Sequence, residues 1–283
     1  MKLQTLAAFA YFMTFFVSPV LAQGPAVSAA NGKFEFDAGA LNVPQVFVSR
    51  AAGTLTLPLG DAFGLQVDAS LAEVNGLTGA AALHLFTRDP QSYLIGGTLG
   101  VVATPGATVV AAGPEGELYL GRWTLEAWGG VGLAHPSSGP DRVGPFEMVD
   151  AAYYPHDNLR LSFGFSLLDG FAALHAGAEY LFSNGPLPFS LTADTRLGAD
   201  GSLLATIGLR GYIGGGDKTL IARHRQDDPW DRGETLVSAV GGATTTAPSS
   251  SPAGPSTPPE LPMCAGAQQQ VVDGVQVCQP WPT

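Results

Sequence analysis

Two histidines, His84 and His175, are the side chains in this sequence best suited to acid–base chemistry. Nucleophilic hydrolysis needs a serine, a histidine and an orienting carboxylate that meet on one surface. Each histidine sits between apolar residues in an alternating stretch, so both fall on the polar face of a strand. No serine–histidine–acid set can be assembled on a shared face. We therefore predict no catalytic residues and interpret both histidines as hydrogen-bonding groups.

The stretch Gly214-Gly215-Gly216-Asp217-Lys218-Thr219 has the glycines of a phosphate-binding loop but not their spacing. Such a loop needs a glycine directly before its lysine, and here Asp217 takes that place and would repel phosphate. The only cysteines, Cys264 and Cys278, lack the further ligands of a metal site. In an exported chain they predict one disulfide that closes a small loop. We expect neither a cofactor nor a metal.

A set of charged residues on the polar faces of successive strands is more informative. In a water-filled pore, opposed acids and arginines create a transverse field and set an ion preference. In a narrow barrel the same residues form buried ion pairs that seal the interior. Both interpretations are open at this point. The set is Glu35, Asp37, Asp68, Arg88, Glu126, Arg160, Glu179, Asp194, Arg196 and Arg210.

The elements that must position these charges follow a period of two from residue 33 to residue 213. The clearest is 159–167, in which Leu159, Leu161, Phe163, Phe165 and Leu167 alternate with Arg160, Ser162, Gly164 and Ser166. A period of two places one set on each face of a β-strand. The pattern predicts about twelve strands (about 10–14), since an even number suits a closed barrel and the stretch 104–120 is broken by Gly113-Pro114.

Composition and the N-terminus indicate an exported chain. Charged residues make up 13% of the sequence, against roughly 25% in an ordinary soluble domain. The net charge of −11, without a basic cluster, argues against a nucleic-acid partner. Residues 1–22, with Lys2, an apolar run and Val20-Leu21-Ala22, are typical of a cleaved secretory signal. No later apolar run reaches the length of a transmembrane helix.

Three observations indicate that the apolar face of the strands contacts lipid. Every second connection is short, whereas the longest ones, 42–50 and 135–145, fall in the other set, as in outer-membrane barrels. The polar face is small and of mixed sign, which suits a confined lumen. Aromatic residues gather at strand ends on the short-turn side, as in an interfacial girdle: Phe34, Phe63, Tyr93, Trp123, Tyr153, Tyr154, Tyr180, Phe182, Phe189 and Tyr212.

The predicted fold is all-β, a transmembrane antiparallel β-barrel with a disordered C-terminal periplasmic tail. A soluble periplasmic sandwich or barrel is the alternative. The predicted organisation is a signal peptide at 1–22, a flexible N-terminus at 23–32, the barrel at 33–213, a charged periplasmic segment at 214–242, a Pro/Ser/Thr-rich linker at 243–262 and a disulfide-closed loop at 263–283.

Three stretches carry a family resemblance: Asn31-Gly32-Lys33-Phe34-Glu35, the run from Leu57 to Asp68, and the run from Lys218 to Pro229. Together they resemble uncharacterised outer-membrane, porin-like barrels of alphaproteobacteria, over most of residues 31–230. The resemblance implies location in the outer membrane and a barrel architecture. It supplies no catalytic residues to transfer to this chain.

The sequence thus predicts an outer-membrane barrel that acts as a porin-like channel for small solutes. Two other classes stay open: a structural or interaction barrel with a sealed lumen and a periplasmic tail, and a membrane-embedded lipid hydrolase. The expected partner is outer-membrane lipid. The charged tail is a candidate contact for peptidoglycan or a periplasmic protein, although a solvated zwitterionic tail explains its composition more simply.

Overall fold

A computed structural model of the chain describes residues 24–43, 45–74, 76–183, 187–243, 267–272 and 275–280. Twelve antiparallel strands close into one barrel, in which sequence neighbours pair and β1 pairs with β12. This confirms the predicted fold. The strands are β1 (Asn31–Leu41), β2 (Val46–Leu59), β3 (Phe63–Glu73), β4 (Leu77–Asp89), β5 (Tyr93–Ala103), β6 (Ala107–Leu120), β7 (Trp123–Pro136), β8 (Arg142–His156), β9 (Leu159–Leu168), β10 (Phe171–Ser183), β11 (Phe189–Gly198) and β12 (Leu203–Ile213).

The alternation in the sequence becomes the two faces of the barrel wall. In β9, Phe163 exposes 61% of its surface on the outside, whereas Arg160 exposes 2%. Large apolar side chains are similarly exposed on the other strands, from Phe36 on β1 to Ile213 on β12. Because closure pairs every strand on both edges, such a wall satisfies its backbone without water. The apolar face therefore faces outward, as the sequence indicated.

The end of the barrel at which β1 begins and β12 ends is called the base. The end at which β1 ends and β12 begins is called the rim. Connections at both ends are two to five residues long. The predicted long connections at 42–50 and 135–145 are wrong, because most of those residues extend β2, β7 and β8. No long loop is therefore available at the rim to constrict the lumen.

The least regular part of the sequence forms a single strand, β6. Its register with β5 runs unbroken through Gly113 and Pro114, and its pairing with β7 lapses only at those two residues. A Cβ on Gly113 would lie 2.0 Å from the carbonyl oxygen of Gly129, so the two backbones approach as only glycine permits. Proline lacks the N–H that the ladder would otherwise use.

Most of the predicted aromatic girdle faces outward near the base. Trp123 and Tyr153, for example, stack at 4.7 Å between ring centroids. Tyr154 and Tyr212 are exceptions, because both are buried and point into the barrel. Both tyrosines point toward the side chains that fill the interior of the barrel.

The chain beyond β12 turns back into the barrel. Gly214, Gly215 and Gly216 all have positive φ, at 80°, 73° and 63°, a conformation that L side chains rarely adopt. Helix α1 (Leu220–Gln226) follows near the base, and helix α2 (Arg232–Ala243) contacts β3, β4, β5, β9, β10 and β11. Residues 214–243 are called the plug segment below.

The position of the plug segment corrects the predicted charged periplasmic segment at 214–242. Its charged groups lie inside because the barrel wall supplies buried partners of opposite sign. The predicted flexible N-terminus also differs, since Ala26 and Val27 are buried and β1 begins at Asn31. None of the helices in the described part of the chain is long and apolar enough to span a membrane.

A separate unit follows after residue 245. Within it, strands β13 (Ala267–Val272) and β14 (Val275–Pro280) form an antiparallel hairpin, with Gln269 opposite Cys278. Cys264 and the linker up to residue 262 lie outside the described residues, so the predicted disulfide stays a prediction.

Candidate functional site

The structure places all ten predicted lumenal charges on the inner face of the wall. Nine of the side chains are buried, and Asp194 is partly exposed. Several of them contact the plug segment directly. The interior is therefore one joint site, made by the wall and the plug segment together.

Arg210 on β12 binds three carboxylates. Its Nε donates to Glu35 Oε2 at 2.7 Å and its Nη1 to Glu179 Oε2 at 2.5 Å. Its Nη2 reaches Glu234 Oε2 on α2 at 3.2 Å. Glu179 also accepts a hydrogen bond from the hydroxyl of Tyr212. Burying a guanidinium is costly unless it is paired, and one of the three partners of Arg210 is on α2, so Arg210 links the wall to the plug segment.

Arg50 on β2 makes a second link to the same helix. Its Nε donates to Asp37 Oδ2 at 2.7 Å, its Nη2 lies 2.8 Å from Glu234 Oε1, and its Nη1 donates to Ser238 Oγ at 2.6 Å. Glu234 therefore bridges two arginines of the wall. The sequence analysis missed Arg50 because it treated residues 42–50 as a connection, although the residue sits on the inner face of β2.

The N-terminus of α2 rests on Asp68 of β3. Asp68 accepts the backbone N–H of Arg232 at 2.8 Å, and His84 Nε2 lies 2.8 Å from the same carboxylate. The other ring nitrogen of His84, Nδ1, is 3.0 Å from Glu115. Asp231 caps the helix, because its Oδ1 accepts the N–H of Glu234 at 2.8 Å. The charged face of β3 and β4 thus fixes where the helix starts.

Trp230 lies between two arginines just before α2. The guanidinium carbon of Arg160 is 4.1 Å from the ring centroid and that of Arg210 is 5.5 Å away, both in cation–π range. Arg160 also donates to Glu126 at 3.1 Å. The indole N–H of Trp230 donates to Thr235 at 3.1 Å. No predicted role was given to Trp230, because a lone tryptophan in a charged run carries no periodic signal.

The base is closed by polar contacts to α1 and the N-terminal residues. His224 Nδ1 lies 2.9 Å from the hydroxyl of Tyr154, which explains why that tyrosine points inward. Lys33 donates to Asp228 at 2.5 Å. Ser28 and Lys218 both donate to Asp227, each at 2.5 Å. These contacts join the start of β1, the N-terminal residues and the plug segment.

Arg223 holds the glycine turn in place. Its Nη1 and Nη2 donate to the carbonyl oxygens of Gly214, at 3.3 Å, and Gly216, at 2.5 Å. Its guanidinium carbon lies 5.0 Å from the ring centroid of Tyr212. The reversal of the chain after β12 is therefore stabilised by a side chain of α1.

The apolar contacts of the plug segment lie in the rim half of the lumen. Leu236, Val237 and Ala239 of α2 are buried there in a single cluster. A Cβ on Gly100 would lie 2.6 Å from Leu236 Cδ1, so this glycine admits the leucine. The wall side of the cluster, called the collar below, comprises Leu41, Val48, Ala72, Val74, Ala80, Val102, Val109, Ala111, Trp128, Ala134, Phe146, Met148 and Leu168.

A larger cavity, of about 290 Å³, lies at the rim against Val109, Ala134 and Arg142, and little space remains deeper in the barrel. A cavity of about 50 Å³ lies against Arg50, His175, Asp194 and Arg196, and one of about 10 Å³ lies beside His224. Cavities of this size hold a few waters at most. Arg88 is buried with its guanidinium carbon 5.0 Å from the Phe86 ring centroid, and its nitrogens find no hydrogen-bond partner among the described residues. The described conformation is closed.

The two histidines have acidic rather than nucleophilic neighbours. His84 lies between Asp68 and Glu115, and His175 Nε2 lies 2.6 Å from Asp150 Oδ1. Among the described residues, no serine hydroxyl is hydrogen-bonded to either ring. Both rings face inward, away from the surface where an acyl substrate would arrive.

A closed antiparallel wall with an apolar exterior and a charged interior defines an outer-membrane-type β-barrel. The plug segment adds a filled lumen to that class.

Comparison with solved structures returns porins of this class. The KdgM porin in complex with disordered oligogalacturonate is 6% identical, with a TM-score of 0.47 over 63% of this chain and 97% of that chain. Omp33 of Acinetobacter baumannii is 11% identical, with a TM-score of 0.40 over 65% and 97%. A Rh. blastica porin mutant is 12% identical, with a TM-score of 0.30 over 65% and 99%. No family model and no curated protein sequence matches the chain. Since these TM-scores are below 0.5, the class rests on the geometry of the chain itself.

Proposed function

We propose that this chain is a porin-like channel of the outer membrane whose path for small solutes is closed, at rest, by its own plug segment. The observation that carries the proposal is the charge on the inner wall. Charged residues project inward from eleven of the twelve strands, all except β5. Buried charge is costly unless it is paired or hydrated. A wall of this kind is stable with the plug segment in place and also with water in its place.

The contacts of the plug segment support a reversible closure. In the base half they are ion pairs and hydrogen bonds, such as Glu234 with Arg210 and Asp228 with Lys33, and water can replace each partner as the segment leaves. The charged groups of the inner wall would then line an aqueous path and set an ion preference. The lumen of a twelve-stranded barrel is intermediate between the filled eight-stranded type and open sixteen-stranded porins.

A sealed barrel with a structural or interaction role is the second candidate. The collar favours this candidate, because replacing the apolar contacts around Leu236 by water is unfavourable. The two candidates differ in one property: a gated channel conducts when the plug segment is weakened, whereas a sealed structural barrel has no conducting state to reach.

We infer no enzymatic role for the barrel, because the inward His84 and His175 face carboxylates rather than a nucleophile. Outer-membrane lipid is the proposed partner of the apolar exterior. Membership in a porin-like family of alphaproteobacteria stays a prediction from the sequence resemblance.

Conductance in planar bilayers tests the proposal. The full chain should show a closed baseline with brief openings. A chain that ends at Gly216 should conduct continuously, and its current should scale with salt. Heat-modifiable gel migration must first show that the shortened barrel is folded. If it is not, Leu236→Asp in the full chain replaces it. A folded, plug-weakened barrel that stays silent would favour the sealed alternative.

A further inference from the structure

Helix α2 has a defined direction inside the barrel. It begins in the middle of the wall, where the Arg232 N–H donates to Asp68 and Ser70 donates to the Gly233 carbonyl. One turn further, Glu234 and Ser238 both contact Arg50, which lies four residues from the rim end of β2. The helix therefore runs from the centre of the barrel toward the rim.

The end of α2 reaches the rim itself. Leu236, Val237 and Ala239 belong to one buried cluster with Leu41 and Leu168, which are the last residues of β1 and β9 before the rim. The helix continues for four residues to Ala243. At 1.5 Å per residue this adds about 6 Å, enough to carry the backbone past the strand ends.

The chain thus crosses the full height of the barrel a thirteenth time. It enters at the base through Gly214–Gly216, closes the base with α1, passes the centre at Trp230 and leaves at the rim with α2. The barrel strands start and finish at the base, whereas the plug segment ends at the rim.

The base of such a barrel faces the periplasm. The exported chain reaches the outer membrane from that side, and the hairpins between paired strands cross while both barrel ends stay behind. The rim then faces the outside of the cell.

We propose that the C-terminal region, residues 244–283, is displayed on the outer surface of the bacterium, with the barrel as its anchor and the plug segment as its stalk. The proposal goes beyond channel function and does not depend on it. It replaces the periplasmic tail expected from the sequence, and any partner of the tail becomes an extracellular one. The composition agrees, because residues 243–262 are rich in proline, serine and threonine.

Antibody labelling of intact cells tests this directly, because an antibody does not cross the outer membrane. Three versions of the full chain carry the same epitope: after Thr283, in the rim connection at Ser138, or directly after Gln23 at the base. Heat-modifiable migration shows that each barrel has assembled. The Thr283 and Ser138 tags should give full signal on intact cells and no gain on permeabilisation. The Gln23 tag should be silent until the cells are permeabilised.

The Ser138 and Gln23 tags show which end of the barrel faces outside, so labelling of the Thr283 tag can be compared directly with each of them. A Thr283 tag that behaves like the Gln23 tag, while the Ser138 tag labels, would overturn the proposal. The same holds if only the Gln23 tag labels, because the rim would then face the periplasm. Conductance plays no part in this readout, so failure of the channel and failure of display are distinguished.

Discussion

The base half and the rim half of the lumen hold the same segment by different chemistry. In the base half the plug segment is bound by charged groups with named partners, as where Arg210 meets Glu234 or Lys33 meets Asp228. In the rim half it is bound by apolar packing of Leu236, Val237 and Ala239 against the collar. Polar contacts depend on geometry and protonation, whereas apolar packing depends on volume.

This difference assigns separate tasks to the two halves. The charged contacts fix the register of the segment, because each has one partner at one height. The collar excludes water and supplies a binding energy that no ion can compete for. A change in one half should therefore loosen that half first, and the changes below are arranged to separate them.

The largest effect is expected from Leu236→Asp, which places an unpaired carboxylate in the collar. Leu→Ala at a buried site costs about 2–5 kcal/mol, and an unpaired buried charge adds to that cost. Amide hydrogen exchange of residues 232–239 in the full chain should speed up strongly, before that of α1. Ser238→Asp is the matched control, since the new carboxylate lies beside Arg50 and should leave exchange nearly unchanged. Equal effects at both positions would mean that the surroundings of Leu236 are not apolar in solution.

Arg210→Met should follow, because it leaves Glu35, Glu179 and Glu234 without their shared cation. Breaking a buried ion pair from one side costs about 3–5 kcal/mol. Exchange should rise first in residues 230–234, which contact Arg210, and only then in residues 236–239. Arg210→Lys keeps the charge but not the fork of donors, and should give a smaller change of the same order. Loss of protection in the collar before the base would contradict the division into halves.

The sequence predicted the wall well and the plug segment not at all. The wall is local: the alternation from Leu159 to Leu167 already directs Phe163 outward and Arg160 inward. The partners of the plug segment are remote, as Lys33 and Asp228 are 195 residues apart. A segment with nearly balanced charge looks the same in sequence whether water or a barrel wall neutralises it. The one local signal was Gly214-Gly215-Gly216, since three consecutive glycines permit the three positive φ angles of a reversal.

The smallest effect is expected at the turn that directs the chain into the barrel, where Gly215 and Gly216 offer a matched pair of substitutions. Both glycines have a positive φ, and an alanine in this left-handed region costs roughly 1–2 kcal/mol. A Cβ on Gly215 would also lie 2.5 Å from Asp227 Oδ2 and 2.9 Å from Arg223 Nη1, whereas one on Gly216 meets nothing within 4 Å. Gly215→Ala should therefore loosen α1, measured by exchange of residues 220–226, more than Gly216→Ala. The collar should stay protected in both, because the rim half does not depend on how the chain enters. Equal loosening by the two variants would show that backbone strain alone, and not the contact with Asp227 and Arg223, fixes the turn.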